Sequence, residues 1–155
     1  MVSLLRSGRR IAALVAIAAA ATGAAAAGAA APGPPVITEP FRPVLACNPN
    51  TTLGMEGCGE HRVLAADARL NADVRAIFYL LASGTPRRDF VSAQGAWLTY
   101  RNADCRSQSD VYGGGSEQPV AYVNCLASDD AARRGDLKGF FASLTQGRAN
   151  PPKFP

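Results

Sequence analysis

Apolar residues recur at helical spacing between residues 60 and 82. At about 100° per residue, they share one arc of about 120° around a helix axis. Two polar residues, Asp67 and Asn71, lie inside this apolar stripe. The pattern predicts a first helix over residues 60–82, and its buried polar groups need partners from another segment. The stripe consists of Val63, Asp67, Leu70, Asn71, Val74, Ile77, Phe78 and Leu81.

A second stripe lies between residues 90 and 105 and occupies one arc of about 100°. It contains Trp97, the single tryptophan of the chain, together with the polar residues Gln94 and Arg101. We expect these three residues, with Asp67 and Asn71, to form the centre of the folded core. The second stripe consists of Phe90, Gln94, Trp97, Leu98, Arg101 and Cys105.

The connection between the two helices is the short sequence Ser-Gly-Thr-Pro at residues 83–86. Ser83 and Gly84 are typical of a helix end. Thr85 is expected to cap the second helix, and Pro86 suits its first turn. Because the connection is so short, we expect an antiparallel hairpin.

The hairpin also predicts which residues face each other. With the turn centred between residues 84 and 85, facing residues have numbers that sum to about 169. Asp67 then faces Arg101, and Asn71 lies within reach of Gln94 or Arg101. We interpret Asp67 and Arg101 as a partly buried, charge-assisted pair. The alternative is a pair of solvated charges at the edge of the stripe.

The remainder of the chain predicts further helix. Ser116 is expected to cap a third helix with Pro119 in its first turn. Residues 128–130, Ser-Asp-Asp, either cap a fourth helix or lie within one continuous helix. The apolar positions of this region are Val120, Val123, Cys125, Leu126, Leu137, Phe140, Phe141 and Leu144. The predicted fold class is all-α, a small disulfide-stapled helical bundle built on an antiparallel helix hairpin.

The chain divides into four predicted parts. Residues 1–31 carry three arginines, an apolar segment and an alanine run with A-x-A sites, a pattern typical of a signal peptide. An uncleaved membrane anchor is the alternative. Residues 32–44 hold five prolines and predict a flexible or polyproline-like linker. The helical domain spans residues 45–145, and residues 146–155 are predicted to be disordered.

Net charge argues against nucleic acid as a partner. The whole chain carries a formal charge of +4, from 16 basic and 12 acidic residues. Removal of the signal peptide takes away three arginines and leaves 13 − 12 = +1. The basic character therefore belongs mostly to the signal peptide, and no basic footprint remains on the domain.

Four cysteines in an exported chain indicate disulfides rather than a metal site. Of the three possible pairings, we expect Cys47–Cys58 and Cys105–Cys125, because each closes a local loop. The first would close a turn-rich loop over residues 48–59, in front of the first helix. Zinc is disfavoured because Cys58-x-x-His61 has no second close pair. Lipidation of Cys47 is an alternative that would place the protein at a membrane.

Specific residues of the domain resemble the LprI-type family, small secreted or lipidated bacterial domains whose named member inhibits lysozyme. The resemblance covers roughly residues 45–140. It implies an exported, all-helical, disulfide-stapled domain and, for the named member, inhibition of lysozyme. Membrane anchoring does not carry over, because the lipobox before Cys47 is poor. The matching residues are Cys47, Cys58, Asp67, Leu70, Asn71, Gln94, Trp97, Tyr100, Arg101, Cys105, Gly114, Gly115, Ser116, Cys125, Arg133 and Leu137.

Two functions are therefore considered. The first is a secreted or periplasmic inhibitor of lysozyme or another wall hydrolase, a reading that follows from the resemblance. The second is a non-catalytic cell-envelope module that binds glycan, peptide or protein. An enzyme is disfavoured, since the lone His61 has no nucleophile or carboxylate pair around it in the sequence. No cofactor is expected.

The predicted contact surface is an irregular loop over residues 106–115, pinned by the Cys105–Cys125 disulfide. Asp110 counts against contact with an acidic cleft, and the glycines of this loop have an alternative role in the turn before Ser116. A second candidate is the corner at residues 85–88, which has two arginines. The loop residues proposed to bind are Arg106, Ser107, Gln108, Ser109 and Tyr112.

Overall fold

Three long helices form the part of the chain that the structure, a computed structural model, describes: residues 33–155. They are α1 (Thr52–Leu80), α2 (Thr85–Asp110) and α3 (Glu117–Thr145), and these residues contain no strand. The all-α class and both disulfides, Cys47–Cys58 and Cys105–Cys125, are confirmed. The predicted signal peptide lies outside the described residues. No helix within them is long and apolar enough to cross a membrane.

Helix α1 begins eight residues earlier than the apolar pattern predicts. Thr51 caps it, its Oγ1 accepting from the Gly54 amide at 3.0 Å. The predicted loop at residues 48–59 is therefore mostly helix. The glycines of this stretch allow other parts of the chain to pack closely against α1 rather than forming turns. A Cβ on Gly57 would collide with the Ala46 carbonyl, and one on Gly59 with the Val123 side chain.

Helix α2 begins as predicted but is capped differently and ends later. Gly84 occupies the N-cap position with a φ of 88°, so Thr85 is the first helical residue and not the cap. Pro86 lies in the first turn, where its missing amide hydrogen leaves no bond unmade. The helix continues to Asp110, which places the first half of the predicted contact loop, residues 106–110, in regular helix.

Helix α3 is continuous through Asp130, so there is no fourth helix in residues 117–145. Ser116 occupies the N-cap position but makes no side-chain capping bond. Helix α3 packs closely along both α1 and α2, whereas α1 and α2 touch each other little. The predicted hairpin is thus held together largely by the third helix.

Two apolar clusters make up the core. One, near the α1–α2 connection, contains Ile37, Leu70, Val74, Ile77, Phe78, Phe90, Leu137 and Phe141. The other, near the disulfides, contains Val63, Cys105, Val123 and Leu126. Along each helix, a buried charged residue lies between the two clusters: Asp67 on α1, Arg101 on α2 and Asp130 on α3.

The proline-rich segment, predicted to be a flexible or polyproline-like linker, packs on α1. Ile37 is buried, and its backbone exchanges two hydrogen bonds with the Asn71 side chain, both at 2.7 Å. The Glu39 amide donates to Asp67 Oδ2 at 3.1 Å. These contacts also correct the predicted role of Asn71, which serves this segment rather than Gln94 or Arg101. Polar groups in the α1 stripe hold an extended segment that has no helical periodicity of its own.

The last ten residues contain no helix or strand, yet they are not simply disordered as predicted. The Phe154 ring lies edge-on to Phe141 with 5.2 Å between ring centroids. Arg134 Nη2 donates to the Pro155 carbonyl at 3.4 Å. A single aromatic anchor thus ties this segment to the apolar cluster near the α1–α2 connection.

Candidate functional site

The α2–α3 turn, residues 111–116, is a tight and largely exposed connection. Successive backbone bonds shape it, including Tyr112 N to Ser109 O at 3.1 Å and Gly115 N to Tyr112 O at 3.1 Å. Gly113 and Gly114 have φ values of 57° and 82°, a region that L side chains rarely adopt. The glycines therefore fit the turn geometry itself.

Three further contacts restrain this turn. Gln118 Nε2 donates to Asp110 Oδ1 at 2.9 Å, and Gln118 Oε1 accepts from the Gly114 amide at 2.7 Å. The Cys105–Cys125 disulfide joins the end of α2 to the start of α3. One glutamine and one disulfide thus bridge both sides of the turn. The turn therefore has less conformational entropy to lose when it binds a partner.

The turn exposes apolar surface, and the helix before it exposes a cation. Val111 is 79% exposed and Tyr112 50% exposed. Arg106 is exposed on the last turns of α2 and lines a shallow groove of about 380 Å³ with Tyr122 and Pro119. Tyrosine and arginine are both enriched at protein interfaces, and both are exposed at this end of the domain.

The structure divides the predicted contact residues into accessible and inaccessible ones. Arg106, Ser107 and Gln108 are exposed on α2, and Tyr112 lies in the turn. Ser109 is 3% exposed and donates to the Arg106 carbonyl at 3.0 Å, so it cannot serve as a contact donor. Gln108 Nε2 donates to Asp104 at 2.7 Å. The surface is therefore smaller than predicted and centres on the turn.

The second candidate, the corner at residues 85–88, is less available. Arg87 Nε donates to the Leu81 carbonyl at 3.1 Å, and its guanidinium lies 4.8 Å from the Phe78 ring centroid. Arg88 Nη2 donates to Thr85 Oγ1 at 2.9 Å. Both arginines are engaged in local contacts that hold the corner together.

A buried charge cluster lies between the two apolar clusters, at the residues predicted to pair. Arg101 is 1% exposed. Its Nη1 lies 2.7 Å from Asp130 Oδ1 and 3.4 Å from Asp67 Oδ1, and its Nη2 pairs with Glu39. The predicted Asp67–Arg101 contact is present, but Asp130 is the closer partner. The sequence pattern did not indicate Asp130 and Glu39 as partners of Arg101.

One guanidinium faces three carboxylates, so the cluster would hold a net charge of −2 if all were ionised. Burial raises the pKa of Asp130 to about 6, although the Arg101 hydrogen bond opposes this shift. Burial also raises the pKa of Glu39. Removing a carboxylate from water disfavours its charged form, and the neighbouring carboxylates add to that effect.

Trp97 and Gln94 are residues of α2 that contact α3. The guanidinium groups of Arg101 and Arg133 lie 5.4 Å and 5.5 Å from the Trp97 ring centroid. Gln94 is 1% exposed, and its Oε1 accepts from Arg133 Nε at 3.4 Å. Trp97 is only half-buried, so it closes the side of the core rather than its centre.

One group of three potential metal ligands occurs within residues 33–155: Cys105, Cys125 and Asp129. Both cysteines are in the disulfide, so their sulfurs are not thiolates and the group does not suit a metal ion. Cys58 is likewise bonded to Cys47.

The fold and the disulfides define a small, covalently stapled three-helix domain. A family model described as "Lysozyme inhibitor LprI" matches residues 46–137, more than half of the chain. The protein belongs to this family of lysozyme inhibitors. Comparison with curated proteins and with solved structures gives no match. The matched range includes both disulfides and the α2–α3 turn.

Proposed function

We propose that the protein acts outside the cytoplasm as an inhibitor that binds the cleft of a lysozyme through the α2–α3 turn. The observation that supports this most directly is a restrained turn with an exposed aromatic residue, preceded by an exposed arginine on the last turns of α2, in a chain of the lysozyme inhibitor family. Export is supported by the signal-like residues 1–31 and by two disulfides.

A lysozyme cleft sets clear requirements for an inhibitor. It is a long groove, and two carboxyl groups within it carry out the cleavage of the glycosidic bond. A blocking surface must enter the groove, present hydrogen-bond donors or a cation to these groups, and fill the sugar subsites with flat amphipathic side chains.

The α2–α3 turn and the last turns of α2 together fit these requirements. Tyr112 supplies the flat amphipathic ring, Val111 an adjoining apolar contact, and Arg106 the cation. Asp104 and Asp110 are the acidic groups at this end of α2; Asp104 accepts from Gln108 Nε2, and Asp110 Oδ1 accepts from Gln118 Nε2. Both carboxylates are thereby held in local hydrogen bonds, while Arg106 faces the solvent.

The test is the hydrolysis of bacterial wall suspensions by lysozyme, with and without the purified domain and its variants. We expect Tyr112→Ala and Arg106→Glu each to weaken inhibition by at least tenfold, about 1.4 kcal/mol, as for residues central to an interface. Tyr79→Ala and Arg75→Glu are the matched controls, since both residues are exposed on α1 and away from the turn.

Two results of this assay would contradict the proposal, and each favours a different alternative. Inhibition that survives both turn variants, with unchanged melting temperature, would place the contact elsewhere on the domain. Absence of inhibition by the unaltered protein, across lysozymes of different classes, would favour the alternative of a non-catalytic envelope-binding module.

A further inference from the structure

A groove of about 310 Å³ lies between α2 and α3, toward the α1–α2 connection. Gln94 on α2 and Val111, the first residue of the α2–α3 turn, are 17 residues apart, so this groove lies about 25 Å from the turn. It is therefore separate from the surface proposed to contact lysozyme. Its lining residues are Phe90, Ala93, Gln94, Arg133, Asp136, Leu137 and Phe140.

Gln94 lines the groove and carries a hydrogen-bond donor that is buried and unpaired in the described residues. Its side chain is 1% exposed, and its Oε1 accepts from Arg133 Nε. That bond sets the orientation of the amide, so the donor Nε2 points away from Arg133 Nε. Within residues 33–155, Nε2 has no hydrogen-bond partner. Burying an amide donor without an acceptor is unfavourable, and a ligand acceptor would remove that penalty.

Arg133 adds a cation that is held in place but weakly paired. Its guanidinium lies 5.5 Å from the Trp97 ring centroid. Its Nη1 is 3.7 Å from Asp136 Oδ2, and the Asp136 side chain is 72% exposed. A long ion pair to a solvated carboxylate contributes little, so a better-placed carboxylate could replace it.

The rest of the groove is apolar. The Phe90 and Phe140 rings lie 6.1 Å apart, and the buried Leu137 lies among the lining residues. Phe140 is 39% exposed. An apolar group placed here would cover the exposed part of Phe140 and gain the usual benefit of apolar burial.

We propose that this groove binds a small monocarboxylate that carries an aromatic or short aliphatic body. The carboxylate would accept hydrogen bonds from the Arg133 guanidinium and, once the Gln94 side chain turns its buried amide toward the groove, from Gln94 Nε2. The body would lie against Phe90, Leu137 and Phe140. A phosphate lacks the apolar body, and a neutral or cationic ligand lacks the charge that Arg133 favours.

Trp97 provides a direct reporter, because it is the single tryptophan and contacts Arg133. We expect titration of the whole protein with 3-phenylpropionate to give a saturable change in its fluorescence. Calorimetry should show that 3-phenylpropionamide, which has the same size and no charge, binds at least tenfold more weakly. Equal affinity for the acid and the amide, or no binding of the acid up to about 10 mM, would overturn the proposal.

Variants then identify the two donors. Arg133→Gln and Gln94→Met should each reduce affinity for the acid by about tenfold or more. Lys138→Gln, which also removes a cation from α3 but outside the groove, should leave affinity unchanged. Asp136→Asn should tighten binding several-fold, because it removes the competing carboxylate. Unchanged affinity in both Arg133→Gln and Gln94→Met, with retained melting temperatures, would contradict the proposed site.

Discussion

At the scale of single residues, the buried charge cluster is the feature that most constrains the core. Arg101 faces Asp130, Asp67 and Glu39, which belong to α3, α1 and the N-terminal segment. A single side chain therefore links every major part of the domain. The periodicity of the sequence pointed to Asp67 and Arg101, because both interrupt apolar stripes.

The other two members could not be predicted in the same way. Asp130 follows Ser128 and Asp129, and such a run is equally typical of a helix cap. Glu39 lies between prolines, where no periodicity indicates which side chains face inward. Only the packing of α3 and of the N-terminal segment brings these carboxylates to Arg101.

Replacing Arg101 should therefore be severe. Arg101→Met would leave two or three buried carboxylates without their cation, and we expect a loss of about 3–5 kcal/mol in unfolding free energy. Adding Asp67→Leu should not restore stability, because Asp130 would still lack its partner. Urea denaturation measures both effects, with the exposed Arg106→Met as the control. A loss below about 1 kcal/mol would show that the cluster contributes little.

The raised pKa of Asp130 makes stability depend on pH. Its folded-state pKa of about 6 is above the ordinary value of 3.8, so the folded protein binds this proton more tightly than the unfolded chain. The associated stability is present at low pH and is lost as pH rises through about 6. Glu39 acts in the same direction, because burial raises its pKa too.

We therefore expect the protein to be more stable at pH 5 than at pH 7.5, by about 1.4 kcal/mol from Asp130, because pH 5 lies about one unit below its folded-state pKa of about 6. Asp130→Asn, which keeps an acceptor for Arg101 but cannot ionise, should flatten this dependence. Thermal melts of both proteins across this pH range provide the measurement. A wild-type melting temperature that rises from pH 5 to pH 7.5 would contradict the assigned direction.

At the scale of elements, glycine had two roles that sequence patterns do not separate. Glycines at residues 54, 57 and 59 resemble turn residues, and the predicted start of α1 was accordingly too late. In the structure they let residues 45–48 and α3 approach α1 closely. Gly113 and Gly114, by contrast, do form a turn, as their positive φ values require.

The close contact at Gly59 predicts opposite outcomes for two helical glycines. Gly59→Ala should destabilise the protein by about 1–3 kcal/mol, because the new methyl group would collide with Val123. Gly95→Ala, where no described atom lies within 4 Å of the added Cβ, should stabilise it by about 0.5–1 kcal/mol. Equal effects of the two changes in chemical denaturation would contradict the described packing of α1 on α3.

The N-terminal segment provides a second test at this scale. Ile37→Ala should reduce stability by about 2–5 kcal/mol, since the side chain is 2% exposed within the apolar core. The adjacent Val36→Ala, at a residue that is 67% exposed, should change stability by less than about 0.5 kcal/mol. Similar small effects of both changes would restore the interpretation of residues 32–44 as a flexible linker.

At the scale of the whole molecule, the all-helical fold and the disulfide pairing followed from the sequence because both depend on local signals. Helical periodicity predicted where the apolar faces lie, and each disulfide closes a short separation of 11 or 20 residues. The dominance of α3 in packing did not follow, since an antiparallel connection between α1 and α2 says nothing about which helix lies between them.

For function, the sequence likewise predicted one part, the family, better than another, the contact surface. The family was indicated by residues that build the fold, and the family match confirms it. The contact surface depends instead on exposure, which the pattern misjudged at Ser109 because α2 continues to Asp110. What the structure adds is an exposed turn held by Gln118 and by the Cys105–Cys125 disulfide.

The activity proposed for this domain is the blocking of a lysozyme cleft. The most direct measurement is the initial rate of wall hydrolysis by lysozyme at several substrate and domain concentrations. Occlusion of the cleft predicts that the apparent KM rises with domain concentration while kcat stays unchanged. A rate unaffected by excess domain, or a fall in kcat at constant KM, would contradict the account.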